Sequence, residues 1–328
     1  MPANLPPAYF EAENRYREAK TQAEGIAALE EMLAIMPKHK GTDKLKADLR
    51  RRISKLKSKQ QAKKKLGRRD RGYKIEKEGV GQVVLIGAPN VGKSSLVAAL
   101  TNADPQVAEF PHSTWKPTPG MMYFEDIQIQ LIDTPPLSKE YTEPWLFDII
   151  RRSDMLIVVV DVQTDPLEQL EDTILFLEAQ RISPLQLTTL SEDKAGWAFL
   201  PFLVVANKND DHLIDENFEI FKSLLKDDWP LVNVSARTSH NFDMFKQTIF
   251  KMLEIVRVYT KTPGKEADLG TPFVLKKGSK IEDLAAKIHK DILEKFKSAK
   301  VWGKNVYDGQ MVQRDHILQD GDIVEVRV

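Results

Sequence analysis

The segment 87–94, Gly-Ala-Pro-Asn-Val-Gly-Lys-Ser, matches the phosphate-binding loop pattern G-x-x-x-x-G-K-[ST] at every fixed position. An apolar run at 83–86 predicts a buried strand before it, and 95–100 predicts the start of a helix. The motif requires this order, because its glycines let backbone N–H groups surround phosphate oxygens at a helix N-terminus. A chance glycine-rich turn is the alternative, and the flanking elements disfavour it. The chain is therefore expected to bind a nucleotide.

Two side chains of this phosphate loop (87–94) have predicted roles. The Lys93 ammonium would contact the β- and γ-phosphates, and the Ser94 hydroxyl would ligate Mg²⁺. The residues expected to surround the phosphates are Pro89, Asn90, Val91, Gly92, Lys93, Ser94 and Ser95.

The residues from 80 to 258 alternate predicted strands with predicted helices. Uninterrupted apolar runs at 155–160 and 202–206 are typical of parallel strands covered on both faces, whereas 127–132 alternates like a half-exposed strand. Another strand is predicted at 231–234. Helices are predicted at 167–178, 218–225 and 242–256. This pattern predicts a doubly wound α/β domain with its ligand at the carboxyl ends of the strands.

Two later motifs at predicted strand ends select the base. Asn207, Lys208 and Asp210 fit N-K-x-D. The Asp210 carboxylate can accept hydrogen bonds from guanine N1–H and N2–H₂, which adenine does not offer. The Lys208 stem can cover the purine, and Asn207 can tie this loop to the phosphate loop. The next strand-end motif consists of Ser235, Ala236 and Arg237. One of its backbone amides could contact guanine O6. Together these motifs favour GTP over ATP.

The overall composition is typical of a soluble intracellular protein. The chain has 328 residues, no cysteine and no formal net charge. Without cysteine, a disulfide frame and a thiolate metal site are both excluded, and the length predicts about two domains. No basic-then-apolar leader and no apolar run of ~20 residues is present. We therefore expect a cytoplasmic protein.

The neutral total hides a strongly basic segment at 38–74, with 17 Lys or Arg against three acidic residues. Leu45, Leu49, Ile53 and Leu56 recur at helical spacing and predict a helix with one apolar stripe. Such a cluster is typical of contacts with an RNA backbone, and a solvated helix with a linker is the alternative.

Upstream of this segment, the apolar spacing of residues 8–36 predicts a separate helical hairpin, which we interpret as a docking site for an unknown partner.

The motif order resembles the translation-factor-related small GTPases, most closely the Obg group and its developmentally regulated GTP-binding (DRG) branch. The resemblance rests on Pro-Asn-Val within the phosphate loop, Asp-Thr-Pro at 133–135, and Phe-Pro-His-Ser-Thr at 110–114. It implies that Thr114 of switch I, or Ser113 as the fallback, ligates Mg²⁺ and that Asp133 supports the ion through water. It also implies a K⁺ site at Asn90, as in some GTPases with this loop. Lys93, Thr114 and Asp133 are the predicted catalytic residues.

The C-terminal segment 261–328 closely resembles the TGS domain, a small β-grasp module. The pattern predicts a strand at 272–275, a helix at 281–296 and a final strand at 322–328. The resemblance implies contact with RNA or the ribosome, and a protein-docking role remains equally open.

Switch II departs from the family pattern. It reads Asp-Thr-Pro-Pro at 133–136 where the superfamily has D-x-x-G, and proline has no N–H to offer a γ-phosphate. Leu137 stands where Ras-type enzymes place the glutamine that orients water. Only 73 residues separate Asp133 from Asn207, too few for the extra domain of DRG proteins. Slow hydrolysis is the expected result.

These inferences predict four regions: a helical hairpin at 1–37, a basic helix and linker at 38–79, a GTPase domain at 80–258 and a TGS domain at 261–328. The preferred hypothesis is a slow GTPase that acts on RNA or the ribosome. One alternative is a guanine-nucleotide-dependent RNA- or ribosome-binding module with little hydrolysis. Another is an RNA-binding scaffold in which the nucleotide is a structural ligand.

Overall fold

The computed structural model of the protein contains two compact units, Met1–Gly72 and Tyr73–Val328. The structure describes residues 6–18, 22–35, 49, 51, 53, 75–102, 117–137, 142–186, 195–211 and 214–328. Among the helices in these ranges, none has the length and apolar character needed to cross a bilayer.

The first unit contains the predicted helical hairpin. Helices α1 (Pro7–Glu18) and α2 (Gln22–Ile35) pack through a small core that includes Tyr9 and Leu29. Of the basic segment 38–74, the structure describes only residues 49, 51 and 53. Leu49 and Ile53 are buried in the same core, on the apolar stripe that the sequence predicts. The clusters of basic residues expected to contact RNA lie outside the described residues, apart from Arg51.

The second unit begins with a six-stranded sheet in the order β2-β3-β1-β4-β7-β8, in which β2 alone pairs antiparallel. Its strands are β1 (Gln82–Ile86), β2 (Thr118–Phe124), β3 (Ile127–Asp133), β4 (Met155–Asp161), β7 (Phe202–Asn207) and β8 (Leu231–Asn233). A separate parallel pair consists of β5 (Ile182–Pro184) and β6 (Ala198–Leu200).

Helices cover both faces of this sheet, as the doubly wound prediction requires. Helices α3 (Lys93–Leu100) and α7 (Phe242–Met252) contribute to one apolar core. The opposite core includes α4 (Pro144–Arg152), α5 (Pro166–Ala179) and α6 (Asp215–Leu224). The α/β fold class is thereby confirmed.

The expectation of a half-exposed strand at 127–132 is wrong. Strand β3 lies between β1 and β2, and Gln130 is buried. Its polar side chain is accommodated because the Gln82 amide donates to Gln130 Oε1 (2.7 Å) and the Gln130 amide donates to Glu76 O (3.1 Å). A buried polar group costs little when it is hydrogen-bonded. An alternating sequence can therefore form an interior strand.

A five-stranded sheet in the order β10-β9-β13-β11-β12 forms the C-terminal part of the second unit. Its strands are β9 (Ile255–Lys261), β10 (Ala267–Lys276), β11 (Ser298–Trp302), β12 (Gln310–Val312) and β13 (Asp322–Arg327). Helices α8 (Ile281–Ile288) and α9 (Lys290–Glu294) accompany the sheet, and side chains from α8 enter its core.

Two element boundaries differ from the sequence prediction. The helix expected over 242–256 ends at Met252, and β9 begins at Ile255, so the predicted domain boundary at 258–261 falls inside this strand. The helix expected over 281–296 is two helices that meet at His289, which has extended backbone angles. In both places apolar spacing alone did not identify the break.

One arginine joins the two sheets of the second unit. Arg257 on β9 donates to Asp126 (2.9 Å) and to Glu125, both in the turn between β2 and β3. It also donates to both carboxylate oxygens of Asp320, at 3.0 and 2.8 Å. The guanidinium lies over the ring of Phe250 on α7, 4.9 Å from its centroid. The C-terminal sheet is thereby attached to the β2–β3 hairpin.

Candidate functional site

The predicted motifs meet at one edge of the six-stranded sheet. The phosphate loop follows β1, the N-K-x-D loop (207–210) begins at the end of β7, and the S-A-R loop (235–237) follows β8. Asp133 ends β3. Because β1, β3, β4, β7 and β8 run parallel, their carboxyl ends share the edge where such folds bind ligands.

The phosphate loop has backbone angles that require its glycines. Gly87 and Gly92 have φ values of 145° and 91°, and a Cβ on Gly87 would lie 2.3 Å from Val159 O. The loop also places Asn90 at φ 62°, exposed beside Pro89, while Val91 is buried. Ser95 lies in the first turn of α3, where backbone N–H groups have no intrahelical acceptor. This arrangement suits an anion.

The Lys93 ammonium lies inside the phosphate loop. It donates to Gly87 O (3.0 Å) and Ala88 O (2.8 Å), and the residue is only 6% exposed. Burial lowers the pKa of Lys93 to about 8, although the nearby Asp133 charge opposes this shift. A poorly hydrated ammonium held by two carbonyl oxygens is suited to pair with phosphate, because a phosphate charge favours its protonated form.

Ser94 and Asp133 present the oxygen atoms predicted to hold Mg²⁺. Ser94 Oγ donates to Asp133 Oδ2 (2.6 Å), and Asp133 is fully buried. Asp133 Oδ1 is buried with no hydrogen-bond partner among the described residues. Burial raises the pKa of Asp133, opposed by the Ser94 hydrogen bond and the Lys93 charge. Oxygen donors of this kind fit Mg²⁺, which prefers carboxylate, hydroxyl and phosphate oxygens. The predicted third ligand, Thr114, and its fallback Ser113 lie outside the described residues.

Switch II has few backbone donors free for a ligand. Thr134 Oγ1 donates to Leu85 O (2.5 Å), which fixes the chain immediately after Asp133. Pro135 and Pro136 have no N–H. The next N–H, that of Leu137, donates to Gly87 O in the phosphate loop (3.3 Å). Within the described residues 135–137, no free N–H stands where the glycine of D-x-x-G would offer one.

Asn207 connects three loops of the site. Its amide nitrogen donates to Val91 O (2.9 Å), and its amide oxygen accepts from the Ala236 N–H (3.2 Å). A Cβ on Gly92 would lie 2.3 Å from the Asn207 amide nitrogen, so only glycine permits this approach. The link between Asn207 and the phosphate loop that the sequence predicts is therefore present.

The Asp210 carboxylate is oriented by neighbours on both oxygens. Ser235 Oγ donates to Oδ1 (2.5 Å), and an Arg237 guanidinium nitrogen lies 3.0 Å from Oδ2. The Arg237 side chain is 74% exposed, so this pair is weak in free energy. No sequence pattern predicted the Arg237 contact. Both oxygens of the carboxylate predicted to read guanine therefore have a neighbour in the structure.

Sequence reasoning missed Asp161 as part of this site. Asp161 ends β4, and its Oδ2 lies 2.6 Å from the Lys208 ammonium. The signal that could have found it was its position directly after the apolar run 155–160, the same strand-end position that identified the N-K-x-D and S-A-R loops.

Comparisons with known proteins match both parts of the second unit. The model of the 50S ribosome-binding GTPase family matches residues 82–191. The TGS domain model matches residues 256–328, which include all of the five-stranded sheet except its first residue.

Three relatives align with this chain at similar identity. A GTP-binding protein of Methanocaldococcus jannaschii is 28% identical over 92% of each chain. Ribosome-interacting GTPase 1 of Saccharomyces cerevisiae is 25% identical over 93% of this chain and 99% of its own. Developmentally-regulated GTP-binding protein 1 of Xenopus laevis is 26% identical over 78% of this chain and 84% of its own.

The alignment with the Methanocaldococcus protein extends over 364 positions, more than the 328 residues of this chain. That relative therefore carries residues without a counterpart here, in agreement with the short distance between Asp133 and Asn207. The phosphate loop, the N-K-x-D loop and the two matched domains lead to one conclusion. The chain resembles the Obg/DRG-like GTP-binding proteins and combines a P-loop GTPase domain with a C-terminal TGS domain.

Proposed function

We propose that this protein binds GTP with Mg²⁺, hydrolyses it slowly, and acts on RNA or the ribosome in the cytoplasm. The observation that supports this most directly is the position of Asn207. Its side chain links the phosphate loop to the two loops that would read guanine, so hydrogen bonds connect the proposed phosphate and base sites.

Each group at the sheet edge has a chemical role in this proposal. Lys93 and the backbone N–H groups of 90–95 bind the phosphates, and Asp210 accepts from the guanine edge. Ser94, Asp133 and Thr114 would hold Mg²⁺, which would neutralise negative charge on the phosphate oxygens. Asn90, exposed in the loop, is proposed to ligate K⁺. Catalysis then depends on positioning and charge stabilisation, because no described group is placed as a general base.

The composition and contacts of switch II support the proposal that hydrolysis is slow. A γ-phosphate that develops negative charge needs preorganised hydrogen-bond donors. Because Pro136 has no N–H, the backbone donor of the D-x-x-G glycine is missing at this position. The apolar Leu137 side chain cannot orient water, and its N–H is engaged by Gly87 O. GTP hydrolysis is supported by membership of the P-loop GTPases, and the low rate is our own proposal from these two residues.

Replacing Pro136 with glycine tests the switch II proposal. Pro136→Gly restores an N–H at the D-x-x-G position, and we expect the single-turnover rate of phosphate release to rise about tenfold. The measurement uses saturating protein with radiolabelled GTP, with and without K⁺. Pro135→Gly is the matched control, since it adds similar flexibility but leaves position 136 without a donor, and its rate should stay near that of the wild type. Equal rates for all three proteins would contradict the role of Pro136.

Binding to ribosomes tests the partner. One relative is named a ribosome-interacting GTPase, and the chain combines a TGS domain with the basic segment 38–74. We expect more protein to co-sediment with ribosomes in the presence of a non-hydrolysable GTP analogue than with GDP. Binding that ignores the nucleotide and disappears on deletion of 38–74 would favour the RNA scaffold. Nucleotide-dependent binding without phosphate release under any condition would favour the binding module.

A further inference from the structure

We infer that Asp161 is a positioning residue for guanine recognition, which acts by holding the Lys208 side chain where its stem can cover the purine. This inference rests on the proposed binding of GTP at the same sheet edge. The juxtaposition that carries it is a buried carboxylate at the end of β4 directly against the lysine of the N-K-x-D loop.

The ion pair is short, and its carboxylate is sheltered from water. Asp161 Oδ2 lies 2.6 Å from Lys208 Nζ, and the Asp161 side chain is 9% exposed. The other carboxylate oxygen accepts from the Gln163 N–H (3.0 Å), and the Asp161 N–H donates to the Gln169 side chain (2.9 Å). The carboxylate therefore has a fixed direction before the lysine reaches it.

The same β4 loop also holds the Lys208 backbone. The Gln163 amide donates to Lys208 O (2.7 Å), and the Val162 N–H donates to Asn207 O (3.1 Å). Lys208 has φ 67°, a left-handed conformation that non-glycine residues adopt at a cost. Both ends of the residue are thus fixed by one short segment, 161–163.

This arrangement removes freedom that a lysine normally has. A long, flexible lysine stem loses rotamer entropy when it must lie flat against a base, and a tether that fixes it beforehand lessens that loss on binding. Asp161 need not touch the nucleotide for this effect. Lys208 covers the base, and Asp161 determines where Lys208 lies.

A double-mutant cycle on the full chain tests the inference. We expect Asp161→Asn to weaken GDP binding about tenfold, measured by calorimetry with Mg²⁺. The same variant should bind inosine diphosphate more weakly by the same factor, because a lysine stem covers hypoxanthine as well as guanine. Asp210→Asn should instead change the ratio of the two affinities, since hypoxanthine lacks the N2 amino group that Asp210 reads.

The decisive comparison uses a Lys208→Gln background. If Asp161 acts through Lys208, Asp161→Asn has no further effect on GDP affinity there. An equal loss in both backgrounds would show a structural role and overturn the inference, as would unchanged GDP affinity in Asp161→Asn alone. Asp161→Glu keeps the charge and should retain most of the affinity, so the cycle remains informative if the asparagine variant folds poorly.

A matched control lies at the other end of the same strand. Asp154, directly before β4, also pairs with a lysine, since its Oδ1 lies 2.8 Å from Lys77 Nζ. Asp154→Asn should leave GDP affinity unchanged. Failure of the wild-type protein to bind GDP would overturn the proposed function, whereas wild-type binding with an unaffected Asp161→Asn would overturn only the present inference.

Discussion

Replacement of Lys93 by alanine is expected to weaken binding of GTP and GDP by about a hundredfold or more. The ammonium is almost fully buried in the phosphate loop and is held by Gly87 O and Ala88 O. In the nucleotide-free loop the ammonium has only neutral carbonyl partners, and phosphate oxygens would add the opposite charge that makes a Lys–phosphate pair strong. Calorimetric titration of the wild type and the variant with GDP and a GTP analogue measures the difference.

The matched control is Lys222→Ala, which removes an exposed lysine from the last turn of α6. Its nucleotide affinity should equal that of the wild type. A Lys93→Ala variant that still binds GDP within a few-fold of the wild type would show that the loop amides alone hold the phosphates. That result would move the main binding role from the side chain to the backbone.

The lowered pKa of Lys93 gives this prediction a second readout. Burial shifts the pKa from 10.5 to about 8 in the folded, nucleotide-free protein. Below pH 8 the folded chain carries a desolvated charge, and this penalty fades between pH 8 and 10.5, where the unfolded chain binds more protons. Without nucleotide, the stability of the wild type relative to Lys93→Ala should therefore rise as the pH increases from about 8 to about 10. Chemical unfolding at several pH values tests the sign.

The sequence predicted that the candidate motifs follow strand ends, and the structure brings these loops to one edge of the sheet. A parallel strand delivers its following loop to a known edge, so the meeting of Asn207 with the phosphate loop could be predicted from the order of the motifs. The contacts of Asp161 and Arg237 could not be predicted in this way. They depend on which side chain of a loop turns toward a neighbour, and no periodicity in the sequence encodes that direction.

The misassigned elements have a different cause. Residues 242–258 are apolar at spacings that suit either a helix or a strand. The chain turns at 253–254, where Glu254 has φ 48°, and β9 then pairs with both β10 and β13. Tertiary pairing therefore decides the outcome, as it does for Gln130, whose partners Gln82 and Glu76 are distant in sequence.

Replacement of Arg257 by alanine is expected to lower the free energy of unfolding of the second unit by about 2–3 kcal/mol. The Arg257 side chain is 12% exposed, and its removal leaves the Asp126 and Asp320 carboxylates without their shared cation. This loss in the free energy of unfolding is smaller than that expected for breaking a fully buried ion pair, because the partner carboxylates are partly hydrated. The hydroxyl of Tyr259 also donates to Asp126, so part of the contact survives.

Guanidinium chloride unfolding of Arg257→Ala, Asp126→Ala and the double variant measures the coupling directly. Arg151→Ala is the control, because the contacts of Arg151 with Asp148 (3.7 Å) and Gln180 O (2.7 Å) are exposed and should contribute little to stability. A loss for Arg257→Ala no larger than the control would mean that water replaces the arginine at the hairpin. The expected larger loss would mean that the TGS sheet is fixed to the β2–β3 hairpin.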